Sequence, residues 1–142
     1  MRKTIVLVLS FMAVTLVFLQ PSSAEEAFTP AWGTPERKAV LDVMRDDIRN
    51  RFDLEVVFVV RWMKVKGGWC FALTEPQSVD GSQRYETYGA LLEAPCDEWT
   101  VREVMPLEEG FEEKSWLASL KEKYPDLPEE IFPGHGEKKE IP

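Results

Sequence analysis

The chain has a single histidine, His135, set between two glycines near the C-terminal end. That scarcity removes most Ser-His and Cys-His nucleophile schemes and every metal site built from clustered histidines. There are only two cysteines, Cys70 and Cys96, and no activating neighbour stands beside Cys70. No glycine-rich phosphate loop is present, since Gly67-Gly68 reads as a hairpin turn. Positive charge is the minority sign: 17 Lys and Arg face 25 Asp and Glu, a net charge of −8. Nucleic acid and anionic lipid both need a basic footprint, so neither is expected as a partner. Carboxylates are plentiful, but most fall on predicted helix ends and turns, where a solvated surface role suffices. No cofactor and no metal is expected.

Long apolar runs are also rare, and the one that exists lies at the start. Met1-Arg2-Lys3 precedes an apolar stretch from Thr4 to Leu19, followed by Gln20-Pro21-Ser22-Ser23-Ala24. A basic start, a short apolar segment and small residues before a break describe a secretory signal peptide over residues 1–24. As a helix the apolar stretch would reach about 24 Å, short of a hydrocarbon core of about 30 Å. Cleavage after Ala24 is therefore expected, with no stable membrane anchor afterwards. Loss of Arg2 and Lys3 leaves 15 basic residues against 25 acidic ones, a net charge of −10. The expected location is the periplasm or the exterior. Residues 25–133 are expected to form one domain, large enough to bury a core. Residues 134–142 are expected to be a mobile polar tail.

The centre of the domain is Leu54 to Glu75. Val, Ile, Phe and Trp suit a pleated, half-buried surface, and Gly67-Gly68 supplies the positive φ that a two-residue hairpin needs. If Lys66 pairs with Trp69, then Lys64 faces Phe71 and Trp62 faces Leu73. Strict alternation puts Val56, Phe58, Val60, Trp62, Trp69, Phe71 and Leu73 on one face. That face is expected to take the first helix and form the main core. The other carries Val57, Val59, Arg61, Met63, Val65, Cys70, Ala72 and Thr74, a mixed surface that needs some cover.

Thr34-Pro35-Glu36 opens a helix, with Thr as N-cap and Pro at the first helical position. It is expected to run to about Arg51, with Val40, Leu41, Met44 and Ile48 as its apolar stripe and Phe52 continuing it. Arg37 falls near the middle of that stripe. Its stem can cover apolar surface while its head reaches solvent or a carboxylate, or it can bind an anionic group at a pocket mouth. After the hairpin, Asp80-Gly81 marks a turn, Tyr85 to Ala94 a third strand and Trp99 to Met105 a fourth. Glu108 to Tyr124 reads as a second helix, acidic first and basic last. Its Trp116, Leu117, Leu120 and Tyr124 are the expected cover for the second sheet face. Pro125 to Pro133 is expected to lie extended, docking Leu127, Ile131 and Phe132. The fold class is thus α+β: an N-terminal helix on a four-stranded antiparallel meander, with a second helix near the C-terminus.

Two alternatives stand for the cysteines. A Cys70–Cys96 bridge would suit an exported protein and, closing a loop of this length, would stabilise by roughly 3 kcal/mol. Otherwise both remain thiols. Gln77-Ser78-Val79-Asp80-Gly81 matches QxVxG, the wedge loop of cystatin-type protease inhibitors. In cystatins that loop joins the first two strands after the helix; here it joins the second and third, so the parts of the wedge could not converge.

Glu36-Arg37 with Leu41-Asp42 and Arg45, then Phe58-Val59, Gly68-Trp69 with Phe71, Leu91-Leu92, and Trp99 with Val101 resemble a group of small exported bacterial proteins without an assigned activity. The resemblance covers roughly Gly33 to Met105 and does not include Cys70 or Cys96. The helix followed by a meander also resembles the cystatin-like and NTF2-like superfold, in which a curved sheet wraps a helix. That resemblance implies a fold, not a function. The expected function is a non-catalytic exported domain binding a partner protein or small ligand. Arg61, Met63, Cys70 and Arg102 are its candidate contacts, with Arg37 at the helix mouth. The alternative is a small-substrate enzyme of NTF2-like shape using carboxylates and Arg37. A homodimer through the second sheet face is a third reading.

Overall fold

The structure is a computed structural model that describes residues 25–135. The expected signal segment, residues 1–24, lies outside the described residues, as does the part of the expected tail from residue 136 onward. Helix α1 is Pro35–Phe52, strands β1 to β4 are Val56–Lys66, Trp69–Ser78, Tyr88–Glu93 and Thr100–Val104, and helix α2 is Glu113–Lys123. A short 3-10 turn, Glu129–Ile131, follows. The strands form one antiparallel sheet in the order β1-β2-β3-β4. The fold is therefore α+β, with the expected helix, meander and second helix. Among the described residues no helix is long and apolar enough to cross a membrane.

Helix α1 begins where its chemistry predicts. Thr34 Oγ1 accepts from the Arg37 backbone N–H at 3.4 Å, and Pro35 occupies the first turn, where it forfeits no helical bond. The helix stops at Asp53, which takes a left-handed conformation with φ 54°. Val40, Met44 and Ile48 are buried along one side. Each such side chain is worth roughly 1.5–3 kcal/mol relative to exposure. Helix α2 starts at Glu113, later than the acidic run suggested. Pro125 to Pro133 is not wholly extended, because it includes the 3-10 turn, but Leu127, Ile131 and Phe132 dock and are buried as expected.

The hairpin turn at Gly67 and Gly68 has φ 56° and 77°, and its register is the expected one as far as Trp62 opposite Leu73. The next pair is Val60 with Thr74, so Arg61 is an extra residue, a β-bulge in an edge strand. A one-residue insertion moves every later side chain to the opposite face. Val56, Phe58 and Val60 therefore join Met63, Val65, Cys70 and Ala72 against α1. Trp62, Trp69, Phe71 and Leu73 lie on the other side, with Leu120, Leu127, Ile131 and Phe132.

This corrects the expected faces. The first helix packs on the Met63/Cys70 side, not on the Trp62/Phe71 side, and residues 56–60 switch sides. The chemistry is consistent with that outcome. Cys70, Ala72 and Ala90 are small and fully buried, so a helix can approach the sheet over them. The aromatic face leaves larger hollows, which Phe132 and Trp116 fill in tilted contact with the Phe71 ring, at centroid distances of 4.8 Å and 6.1 Å. Both faces are covered within one chain. Gly89 makes room at the far edge, since a Cβ there would lie 3.1 Å from that of Met105 and 3.2 Å from Leu73 Cδ1.

The candidate disulfide is also corrected: both cysteines are free. Cys70 is fully buried beneath α1, in register with Leu92, while Cys96 is exposed in the turn before β4. One thiol points into the core and the other out to solvent.

Candidate functional site

The five candidate contacts, Arg37, Arg61, Met63, Cys70 and Arg102, do not converge on one site; only Met63 and Cys70 share surroundings, buried together in the α1-side core. Arg37 is buried at the start of α1, where its guanidinium donates to the Pro30 carbonyl at 3.1 Å and stacks on Trp32 at 5.2 Å. It ties down the segment that leads into the helix. Met63 is buried in the α1-side core. Arg61 and Arg102 share an unexpected property. Each is the extra residue of a bulge, in β1 and β4 respectively. Each reaches back to a glutamate on the neighbouring strand, Arg61 to Glu75 at 2.7 Å and Arg102 to Glu93 at 3.0 Å. The Arg61 guanidinium holds Glu75 below its ordinary carboxylate range.

The best-formed hollow lies elsewhere. It opens at the C-terminal end of α1, where the helix leaves the sheet, and its volume is about 320 Å³. Ile48 and Phe52 come from the last turns of α1, Leu54 and Val56 from the entry to β1, and Pro76 from β2. Tyr85 to Tyr88 close it from the approach to β3, and Val104 and Leu107 from the end of β4. Five separate parts of the chain meet there, and most contribute carbon. Phe52 and Leu107 remain largely exposed at the rim.

One wall carries a polar network. The Tyr88 hydroxyl donates to Asp47 Oδ2 at 2.5 Å, and Arg51 Nε donates to the same oxygen at 2.8 Å. Burial, then the hydrogen bond to Asp47, push the Tyr88 phenol well above its ordinary range. The phenol therefore keeps its proton further into the alkaline range than an ordinary tyrosine. The bond to Asp47 likewise raises Arg51. The Phe58 ring stacks on Tyr88 at 6.3 Å and holds the phenol in place. The polar groups of this wall are satisfied by one another. The wall can orient an apolar guest, and Arg51 and Glu86 stand beside it to meet polar ends.

Among the described residues no three His, Cys, Asp or Glu side chains converge to hold a metal ion. Sequence reasoning reached Phe52 only as an extension of the helical stripe, and it missed Leu54, Tyr88 and Leu107 as a group. The signal available was modest: an apolar residue just past each of two element ends, Phe52-Asp53-Leu54 and Pro106-Leu107. No protein-family model, no curated protein and no solved structure matches this chain.

Proposed function

We propose that this is an exported, non-catalytic binding domain whose cleft receives an apolar group, either from a small ligand or from a side chain of a partner protein. The observation that carries the reading is the cleft beside Tyr88, with Phe52 and Leu107 exposed on its rim. Its volume of about 320 Å³ falls at the small end of ligand pockets, which run from roughly 300 to 1,000 Å³. A single ring or a short alkyl chain fits that space. The signal-like residues 1–24 support a location outside the cytoplasm, and the excess of acidic residues disfavours anionic surfaces.

The test is a titration of the purified protein with an apolar fluorophore whose emission rises on leaving water. Saturable binding is expected, lost in Phe52→Asp and Leu107→Asp and kept in Arg37→Ala. Phe52 and Leu107 are exposed, so these changes should leave the fold intact, which circular dichroism checks. Binding that survives both changes, or no binding at all, would remove the reading.

A further inference from the structure

The outer edge of β1 carries an interaction surface of a specific kind. β1 is an edge strand. Near its turn end the edge is occupied, because Phe28 and Val65 exchange both backbone hydrogen bonds, at 3.0 Å and 2.8 Å. Toward its other end, among the described residues, no further backbone group pairs with that edge. The open stretch ends at the Arg61 bulge, which breaks the straight ladder. Edge strands of soluble proteins are usually blunted by charge, proline or cover. Residues 56–60 here are Val-Val-Phe-Val-Val, and Val57 is 41% exposed.

The sequence of this stretch is a palindrome closed by opposite charges: Glu55-Val56-Val57-Phe58-Val59-Val60-Arg61. Two copies laid antiparallel about Phe58 match at every position. Phe58 meets Phe58, Val57 meets Val59, Val56 meets Val60, and Glu55 meets Arg61 at both ends. Both end groups are available, with side chains 74% and 57% exposed. Their present partners leave room for a further contact: Arg49 lies 3.6 Å from Glu55 and Glu75 lies 2.7 Å from Arg61. Moving the register by one residue sets Arg61 or Glu55 against valine. The charges therefore select one alignment, as opposite charges do across paired strands.

We infer that a second copy of this chain is the partner of the β1 edge, paired antiparallel through residues 55–61 about a two-fold axis at Phe58. Such an interface is self-complementary, as two-fold symmetry requires. It joins two four-stranded sheets into one continuous sheet and covers Val57 with the partner's Val59. It also satisfies backbone groups that otherwise face water. The surface is distinct from both covered faces of the sheet, and the inference does not depend on the cleft.

Sedimentation equilibrium of the purified protein over a wide concentration range tests it, with three charge variants. A reversible dimer is expected for the unaltered protein. Glu55→Arg and Arg61→Glu should each weaken it about tenfold, because symmetry makes every change act twice. The double variant restores the opposite pairing and should return the dimer close to its original strength. Val57→Lys should also weaken dimerisation, while circular dichroism confirms that each variant remains folded. A monomer at every concentration would overturn the inference, even if another protein's strand were found on the edge. A dimer indifferent to Val57→Lys and to both single charge changes would overturn it equally.

Discussion

The indole N–H of Trp62 donates to the carbonyl of Ile131 at 2.7 Å. This bond joins the middle of the first strand to the 3-10 turn near the C-terminal end, and Lys66 reinforces it by pairing with Glu130 at 2.8 Å. Ile131 is fully buried, so losing the donor would leave its carbonyl short of a partner. Trp62→Phe keeps an aromatic ring on the sheet but removes that donor together with part of the indole's packing surface. It should cost ~1–3 kcal/mol in urea unfolding. Amide exchange should quicken over residues 127–132 and stay slow in β2 and β3. Uniform quickening would mean that the bond supports the whole core, not the docking of this segment.

Arg61 has a positional role that its side chain does not reveal. Its guanidinium is exposed and, among the described residues of its own chain, pairs only with Glu75, so Arg61→Ala should leave the urea midpoint of the monomer nearly unchanged. Deleting the residue is a different experiment. Without the bulge, Val56, Phe58 and Val60 would turn away from α1, and Val57 and Val59 would turn toward it. Those three side chains would leave the core, at a cost of ~4 kcal/mol or more. If the deletion were tolerated as well as the alanine, the bulge could not be what sets the two faces.

That bulge also marks where the sequence stops being legible. Thr34, Pro35 and the Val40/Met44/Ile48 stripe specify α1 locally, and Gly67-Gly68 specifies the hairpin and its register as far as Trp62. All of these depend on neighbours in the chain. The face switch at Arg61 depends on β2, which is one residue shorter over the same span. The unbroken apolar run from Val56 to Val60 has no alternation from which a change of phase could be read. The cleft is harder still, because Phe52, Val56, Tyr88 and Leu107 come from four parts of the chain. Each looks like an ordinary core residue when read alone. Arg37 lies at the helix start with its stem covered, but its head is buried against the Pro30 carbonyl and Trp32 and does not reach solvent or a carboxylate.

The two thiols should react very differently. Cys70 is fully buried, and burial pushes its thiol far above the ordinary range. The thiolate is the reactive form, so Cys70 should resist alkylation in the folded protein. Cys96 is exposed and should alkylate readily. Mass spectrometry should find one modified cysteine under native conditions and two after denaturation, with or without reductant. Cys96→Ser should leave stability unchanged, whereas Cys70→Ser puts a hydroxyl among Val40, Met63 and Leu92 and should cost ~1–3 kcal/mol. Two unreactive cysteines that reductant releases would contradict the free thiols.

The turn after β2 should show the clearest response to acid. Asp80 Oδ1 accepts from the Ser78 hydroxyl at 2.7 Å, the Ser82 backbone N–H at 3.0 Å and the Ser82 hydroxyl at 2.7 Å. These bonds, the one from Ser78 foremost, favour the ionised carboxylate and hold its pKa down to about 2, against an ordinary 3.8. The unfolded chain therefore takes up a proton first as pH falls. The stabilisation is complete above the unfolded value, declines between 3.8 and about 2, and is gone below the folded value. No pH dependence from this group is expected near neutrality. Carboxyl carbon NMR should put the Asp80 midpoint near 2, and the protection of the Ser82 amide, relative to its intrinsic exchange, should fall through the same interval. Asp80→Ala should lower Ser82 protection at neutral pH and abolish its further change in acid. A midpoint at 3.8 would show that the three donors do not hold the carboxylate in solution.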